Sequence, residues 1–286
     1  MDFIDLHVHS NASDGTLSPA EVVSLAISSG LRAIALTDHD TLSGIKEART
    51  AALLNSDSKS PLRIIPGTEI SVSYKNKDIH LLGLFVDPDN QELDNALREA
   101  IKNRDARNEK MAENLRMAGI DITIDKIRQT EGNAVLTRAH FAKYMTEHGF
   151  TKSNQDAFNR FLNDDSPYYV AREYLSPKEA IDLIHGANGL AILAHPLLYK
   201  YDLTGVEELV SLFSSYGLDG IEAIYSSNMG LDEGHLRRIA NKYGLAISGG
   251  SDFHGANKPH LNIGTGKGNL KVPYTILEQL ELRLHY

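Results

Sequence analysis

Short apolar runs that alternate with amphipathic helical patterns are the feature that most constrains this chain. The first runs, Phe3–Leu6 and Ala33–Leu36, are each followed by a segment with helical periodicity. Later apolar runs are Arg63–Ile70, His80–Val86, Leu190–Ala194, Gly220–Tyr225 and Leu245–Ser248. About seven strands, most of them separated by helices, predict an α/β fold built on a parallel sheet.

Helix-capping signals support this alternation. Ser18, Pro19 and Glu21 form a capping box with proline at the first helical position, and Gly30 lies where a left-handed C-terminal cap is favoured. The pattern predicts a helix over residues 18–29. The segment Ser176–Glu179 repeats the same capping signal before a later helix.

One segment lacks the alternation. Residues 88–171 carry helical patterns, such as Leu93, Leu97 and Ile101, but no convincing strand. We therefore predict one domain formed by residues 1–87 and 172–286, interrupted by a helical insertion (cap) domain at residues 88–171.

Composition narrows the possible chemistry. The 286 residues include no cysteine, so any metal site must use nitrogen and oxygen ligands. A formal net charge of −9 disfavours long nucleic acid as a partner and favours small substrates. The sequence has neither an apolar run long enough to span a membrane nor a signal-peptide pattern, which predicts a cytoplasmic protein without a membrane partner.

Ionisable side chains collect where the predicted strands end. The residues at these ends are His7, His9, Asp38, His39, Glu69, His195, Asp252 and His254. In parallel α/β sheets the carboxyl ends of the strands lie on one face, so these residues should converge. The spacing His7-x-His9 places both imidazoles on one side of the backbone. Two histidines alone could be ordinary loop residues, but the recurrence of the pattern favours a metal site.

The motifs themselves resemble those of the polymerase and histidinol phosphatase (PHP) family. They are, in order, His7-Val-His-Ser, Thr37-Asp-His-Asp, Gly67-Thr-Glu, Ala194-His-Pro and Ser251-Asp-Phe-His. The resemblance spans nearly the whole chain. It implies a distorted (β/α)7 barrel that carries two or three divalent metal ions.

The resemblance also implies nine metal ligands, which are His7, His9, Asp14, His39, Glu69, His80, His195, Asp252 and His254. Glu69 would bridge a first ion, held with His7, His9 and Asp252, and a second ion, held with His80 and His195. Asp14, His39 and His254 would hold a third. Asp14 is a hard ligand and favours manganese, with iron or zinc as alternatives.

His80 starts its apolar run, whereas the other ligands follow theirs. We therefore expect a hairpin between Ser71 and Leu82, turning near Lys75–Asp78, that returns His80 to Glu69 and His195.

The resemblance implies metal-dependent phosphoester hydrolysis, for which adjacent cations would lower the pKa of bound water and neutralise phosphate oxygens. Asp38, Glu69, His195 and Asp252 are the predicted catalytic residues. Asp38 is expected to orient a histidine ligand or to contact a metal, and Asp40 to cap the following helix.

The insertion suggests the substrate. Thr137 should cap a helix whose first turn contains Arg138 and His140, where an anion is favoured. This segment resembles the substrate-recognition segment of PHP members that act on nucleoside 3′,5′-bisphosphates and short RNA 5′ ends. The predicted substrate-binding residues are Arg138, His140, Lys143 and Arg172.

We therefore expect hydrolysis of a phosphate monoester of a small nucleotide, with 5′→3′ trimming of short oligoribonucleotides as a further activity. Two alternatives remain open at this point: a histidinol-phosphate phosphatase, and a metal-stabilised module without turnover.

Overall fold

The computed structural model of the chain describes residues 2–55, 61–75, 77–132, 134–163, 165–170 and 175–285. Its frame is a mixed sheet with the strand order β7-β6-β5-β4-β3-β2-β1-β8. The strands are β1 (Phe3–Val8), β2 (Ala33–Leu36), β3 (Arg63–Tyr74), β4 (Lys77–Leu84), β5 (Leu190–Leu193), β6 (Gly220–Tyr225), β7 (Ala246–Gly250) and β8 (Val272–Pro273).

Helices follow most of these strands. Those of the barrel are α1 (Pro19–Ser28), α2 (Ile45–Leu54), α7 (Pro177–Gly186), α8 (Leu203–Ser215), α9 (Asp232–Lys242) and α10 (Tyr274–Glu281). The predicted capping boxes are present at Ser18 of α1 and at Ser176 of α7, so both predicted helix starts are confirmed.

The remaining helices lie in the insertion. They are α3 (Gln91–Met117), α4 (Ile124–Glu131), α5 (Arg138–Glu147) and α6 (Asn154–Ala157), the last continued by a π-helical turn at Phe158–Leu162. The described part of residues 88–171 contains no strand, as the sequence indicates. These helices share an apolar cluster of their own, which includes Met111, Leu115 and Phe141.

The predicted hairpin is formed by β3 and β4, which pair antiparallel from Gly67–Leu84 to Tyr74–Lys77. Strand β4 also runs antiparallel to β5, whereas β1–β2–β3 and β5–β6–β7 are parallel. The sheet is therefore not purely parallel. Because β4 is reversed, the start of this strand lies at the same end of the barrel as the carboxyl ends of its neighbours.

The barrel closes where β1 meets the end of β7. The Asp252 amide donates to the His7 carbonyl at 2.9 Å, and the His9 amide donates to the Phe253 carbonyl at 3.0 Å. Gly250 makes this approach possible, because a Cβ there would collide with the backbone and Cβ of His7. The predicted distorted barrel is confirmed, with the short antiparallel β8 added beside β1.

The insertion is joined to the barrel by buried polar contacts. Arg104 of α3 forms a buried ion pair with Asp40 and donates to the Ser71 hydroxyl at 3.3 Å. The Val135 amide donates to the Ala12 carbonyl at 3.1 Å. The loops at the mouth of the barrel are thus held against the cap.

Within the described residues, we find no helix with the length and apolar character needed to cross a membrane.

Candidate metal centre

All nine predicted metal ligands lie together at the carboxyl end of the barrel. Eight of them are buried and His80 is partly buried. Three overlapping groups bring their ligand atoms within 4.8 Å of one another: His7, His9 and Glu69; His39, Glu69 and His80; and His9, Asp14, His39 and His254.

Glu69 lies among these groups, with Oε2 facing His7, His9 and His39 and Oε1 facing His80 and His195. Its Oε2 lies 3.3 Å from His7 Nε2 and 3.1 Å from His9 Nε2. Its Oε1 lies 2.7 Å from His80 Nδ1 and 3.0 Å from His195 Nε2. A carboxylate with its two oxygens divided in this way has the arrangement of a bridging ligand.

Asp252 completes the first group. Its Oδ1 lies 3.7 Å from His7 Nε2 and 3.6 Å from His9 Nε2. Its Oδ2 accepts hydrogen bonds from the Tyr225 hydroxyl and from Lys258 Nζ, each at 2.7 Å. These two donors occupy the outer oxygen, so Oδ1 is the one that faces the imidazoles.

A third group surrounds Asp14, in the loop after β1. Asp14 Oδ1 lies 3.1 Å from His254 Nε2, and Oδ2 lies 3.7 Å from His39 Nε2. The Thr137 hydroxyl donates to Asp14 Oδ2 at 3.0 Å, so the cap contacts this group directly.

The hydrogen bonding of these rings fits a metal site. Among the nine predicted ligands, four buried imidazole nitrogens have no hydrogen-bond partner, and these are the Nδ1 atoms of His9, His39, His80 and His195. His80 Nδ1 lies 2.7 Å from Glu69 Oε1 without hydrogen-bond alignment. Imidazole and carboxylate donors directed at shared points suit divalent transition metals.

The pKa values of the ligands are also consistent with a metal site. Burial alone would raise the pKa of Glu69, but the imidazoles of His39, His80 and His7 hold it well below its usual range. Burial lowers the pKa of His39 to about 3, which keeps this ring in the neutral form that binds metals. Burial also lowers the pKa of His80, but the Glu69 charge outweighs it and raises the value to about 10. An ion that binds at His80 must therefore displace a proton.

Asp38 lies behind the site. Its carboxylate accepts from the Ser10 amide at 2.8 Å, the Ser10 hydroxyl at 2.7 Å and the Ser13 hydroxyl at 2.6 Å. These contacts fix the loop that carries Asp14. Asp38 thus positions this loop, and its expected contact with a histidine or a metal stays a prediction.

The expected role of Asp40 as a helix cap is wrong. Helix α2 begins only at Ile45, and its N-cap residue Gly44 offers no side chain. Asp40 instead has a positive φ of 51° and pairs with Arg104. The Asp40 carboxylate instead accepts from Arg104 Nε at 3.1 Å and from the Ser71 amide at 3.3 Å.

Sequence reasoning missed three residues that support the ligands: Glu222, Tyr225 as a hydroxyl donor, and Lys258. Glu222 is fully buried and contacts both His7 and His195. A signal for it exists, because Glu222 is a lone carboxylate within the apolar run Gly220–Tyr225. Lys258 carries no comparable signal in the sequence.

The predicted substrate segment adopts the expected helix start. Thr137 caps α5, with Arg138 and His140 in the first turn. The Thr137 amide donates to His140 Nδ1 at 2.9 Å, which leaves the proton of a neutral ring on Nε2. That Nε2 is buried and, among the described residues, has no hydrogen-bond partner.

Two other predicted substrate residues, Arg138 and Lys143, contact groups of the protein itself. Arg138 donates to the Leu162 carbonyl at 3.1 Å and lies 3.6 Å from Asp78. Lys143 is paired with Glu131 at 2.7 Å. Arg172 lies outside the described residues, so its predicted role remains a prediction.

Comparison with known proteins gives a consistent family assignment. The model of the PHP domain matches residues 5–187. A 3′,5′-nucleoside bisphosphate phosphatase from Chromobacterium violaceum is 33% identical, over 98% of this chain and 97% of the relative. A 5′-3′ exoribonuclease from Haemophilus influenzae is 36% identical, over 87% of this chain and 89% of the relative.

Solved structures agree. An amidohydrolase from Chromobacterium violaceum with bound sulfate and no metal superposes with a TM-score of 0.87 at 33% identity, covering 98% of this chain and 96% of that one. A Bifidobacterium adolescentis protein to which metal-dependent phosphoesterase activity has been ascribed gives a TM-score of 0.85 at 28% identity, with coverages of 99% and 96%. The chain therefore belongs to the PHP domain family of phosphoester hydrolases.

Proposed function

We propose that this enzyme hydrolyses a phosphate monoester of a small nucleotide, such as a nucleoside 3′,5′-bisphosphate, and trims short oligoribonucleotides from the 5′ end. The observation that carries the proposal is the position of Glu69 between two groups of imidazoles, next to a third group that contacts the cap. The relatives named for these two activities align with nearly the whole chain.

We propose that the site binds two or three divalent ions, with manganese expected. His7, His9, Glu69 and Asp252 would hold the first, Glu69, His80 and His195 the second, and Asp14, His39 and His254 the third. Bound ions of this kind activate water as a nucleophile and neutralise charge on phosphate oxygens.

Residues around the proposed ligands hold them in place. Tyr225 and Lys258 hold Asp252 so that one carboxylate oxygen faces the imidazoles. Lys258 has a partly exposed side chain at the rim and places a positive charge beside the site, where it attracts an anionic substrate. The Ser10–Asp38–Ser13 contacts fix the loop of Asp14.

The cap supplies selectivity. His140 directs a buried N–H donor that no described residue accepts, and Arg138 offers a guanidinium whose geometry matches two phosphate oxygens. Both residues lie in the first turn of α5, where the helix dipole favours an anion. We propose that they bind the phosphate that is not cleaved.

The test is phosphate release from adenosine 3′,5′-bisphosphate, histidinol phosphate and p-nitrophenyl phosphate with added Mn²⁺. We expect the bisphosphate to have the highest kcat/KM. Preference for histidinol phosphate would contradict the nucleotide substrate. No release from any of the three, with bound metal confirmed, would leave a metal-stabilised module without turnover.

The variant Arg138→Gln tests the role of the cap. It should raise KM for the bisphosphate roughly 10-fold, the equivalent of one lost charged contact of about 1.4 kcal/mol. It should leave p-nitrophenyl phosphate unchanged, since that substrate has no second phosphate. Arg160→Gln is the matched control, because Arg160 is an exposed cap arginine paired with Asp156. Equal losses on both substrates would contradict a phosphate contact at Arg138.

A further inference from the structure

Glu222, on β6, connects two proposed metal ligands that come from distant parts of the chain. Its Oε1 lies 3.0 Å from His7 Nδ1, and its Oε2 accepts from the His195 amide at 2.8 Å. The carboxylate is fully buried and contacts His7 at Nδ1, whereas Glu69 contacts the same ring at Nε2. No predicted ligand group includes it.

The contact with His7 determines which ring nitrogen carries a proton. A carboxylate accepts hydrogen bonds, so His7 Nδ1 must donate to it. Nε2 then keeps its lone pair, and this is the nitrogen that lies 3.3 Å from Glu69 Oε2 and 3.7 Å from Asp252 Oδ1. Carboxylate partners of this kind fix the tautomer and orientation of histidine ligands and raise their basicity.

The contact with His195 acts on the backbone. His195 directly follows β5 and has a φ of 28° and a ψ of 56°, outside the usual right-handed and extended regions. A residue in such a conformation is strained and needs surrounding contacts to hold it. The hydrogen bond that the His195 amide donates to the Glu222 carboxylate provides one, and the His195 ring then lies with Nε2 3.0 Å from Glu69 Oε1.

We infer that Glu222 is a positioning residue that holds His7 for the first ion and His195 for the second, so that a single buried carboxylate aligns both sides of the Glu69 bridge. The inference rests on the proposed function only in taking His7 and His195 as ligands. It predicts that loss of Glu222 weakens ion binding at both places at once.

The same strand region offers a matched control. Asp219, immediately before β6, also binds a histidine ring and a backbone amide: His185 Nε2 and the Ala191 amide, each at 2.8 Å. It lies at the opposite end of the barrel, where its side chain is partly exposed. Both contacts are made by one Asp219 oxygen, so Asp219→Asn removes the charge of this carboxylate without touching the proposed metal site.

The experiment compares Glu222→Gln with Asp219→Asn in full-length protein. Glutamine has nearly the same shape, but its NH₂ group must face either His7 Nδ1–H or the His195 amide, so one contact becomes repulsive. We expect the apparent Mn²⁺ affinity, measured by chelator competition, to fall roughly 10- to 100-fold, with fewer ions retained per chain by elemental analysis. Asp219→Asn should match wild type in both measurements.

Glu222→Gln that retained wild-type ion number and affinity would overturn the inference. A second measurement covers the case in which the variant does not fold. In wild-type protein loaded with diamagnetic Zn²⁺, ¹⁵N spectra of the histidine side chains should show His7 with a proton on Nδ1 and the metal on Nε2. Metal on Nδ1 would also overturn the inference.

Neither readout needs turnover. Absence of phosphate release would therefore contradict the proposed function while leaving the role of Glu222 testable.

Discussion

Each end of the barrel has a carboxylate that contacts both a histidine ring and a backbone amide, but the surroundings of the two carboxylates differ. At the carboxyl end Glu222 holds the His7 ring and the His195 amide, fully buried. At the amino end Asp219 holds the His185 ring and the Ala191 amide, with the His185 side chain 39% exposed. The difference shows that surroundings, rather than the pair itself, decide whether such a contact serves a ligand site or only local stability.

Burial is what separates the two ends. Buried charges are costly unless they are paired or bind a metal. The predicted ligands at the carboxyl end are three buried carboxylates and six imidazoles, of which only that of His80 is partly exposed. The amino end instead has exposed pairs such as Arg63–Glu281, which solvent screens. Changes at the carboxyl end should therefore alter ion binding and turnover, and changes at the amino end should alter stability slightly.

The largest effect should come from Glu69→Gln. The amide removes the charge that faces both imidazole groups, so we expect kcat/KM to fall by roughly 10³-fold or more, with loss of bound metal. Steady-state kinetics and elemental analysis measure this. Glu281→Gln, at the other end, should keep full activity, and an active Glu69→Gln variant with its ions in place would break the contrast between the two ends.

Metal removal should show how much bound ions at the carboxyl end stabilise the folded protein. A ligand that binds only the folded state stabilises it by about 2.7 kcal/mol at 100 times its Kd. Chelation should therefore lower Tm, and Mn²⁺ should restore it, in wild type and in Asp219→Asn. The same addition should shift Glu69→Gln far less. A Tm indifferent to metal in wild type would contradict the proposed site.

Asp14→Asn should have an intermediate effect. It weakens the third group only, so we expect loss of about one ion and a decrease of roughly 10- to 100-fold in kcat. Asparagine can still accept from the Thr137 hydroxyl, so the contact between cap and barrel should persist. Loss of all ions in this variant would show that the three groups do not bind independently.

The smallest effect should come from His185→Gln at the amino end. Its hydrogen bond with Asp219 raises the folded-state pKa of His185 above 6.5. The stabilisation is therefore complete below that pH and lost as pH rises through the folded-state value. Because solvent screens the pair, we expect a difference below about 1 kcal/mol, present at pH 5.5 and absent at pH 9, in denaturant unfolding of wild type and variant. An undiminished difference at pH 9 would contradict this.

Sequence patterns could predict the parts of this molecule that repeat a rule. Strand ends carry ligands because a parallel sheet collects its carboxyl ends, which places His7 and Asp252 together despite their separation. His80 is an exception, because it begins its strand. A ligand at the start of a strand reaches the site only if that strand is antiparallel to its neighbours, so the reversed β4 could be inferred.

Contacts that depend on tertiary geometry could not be predicted in the same way. The sequence around Asp40 is typical of a helix N-cap. Its partner Arg104, however, comes from the insertion, 64 positions later in the chain. Nothing in the sequence distinguishes Lys258 from other loop lysines, and its contact with Asp252 forms only in the closed barrel. Such pairings depend on how the insertion and the last loops pack, which periodicity does not encode.

The seam between β1 and β7 has a consequence for how the protein is made. His7 is translated long before its partners at the seam, Gly250 and Asp252. Contacts this distant in sequence form late in folding. The nascent chain therefore exposes His7 and His9 without their site, and ions can be loaded correctly only after synthesis has passed His254.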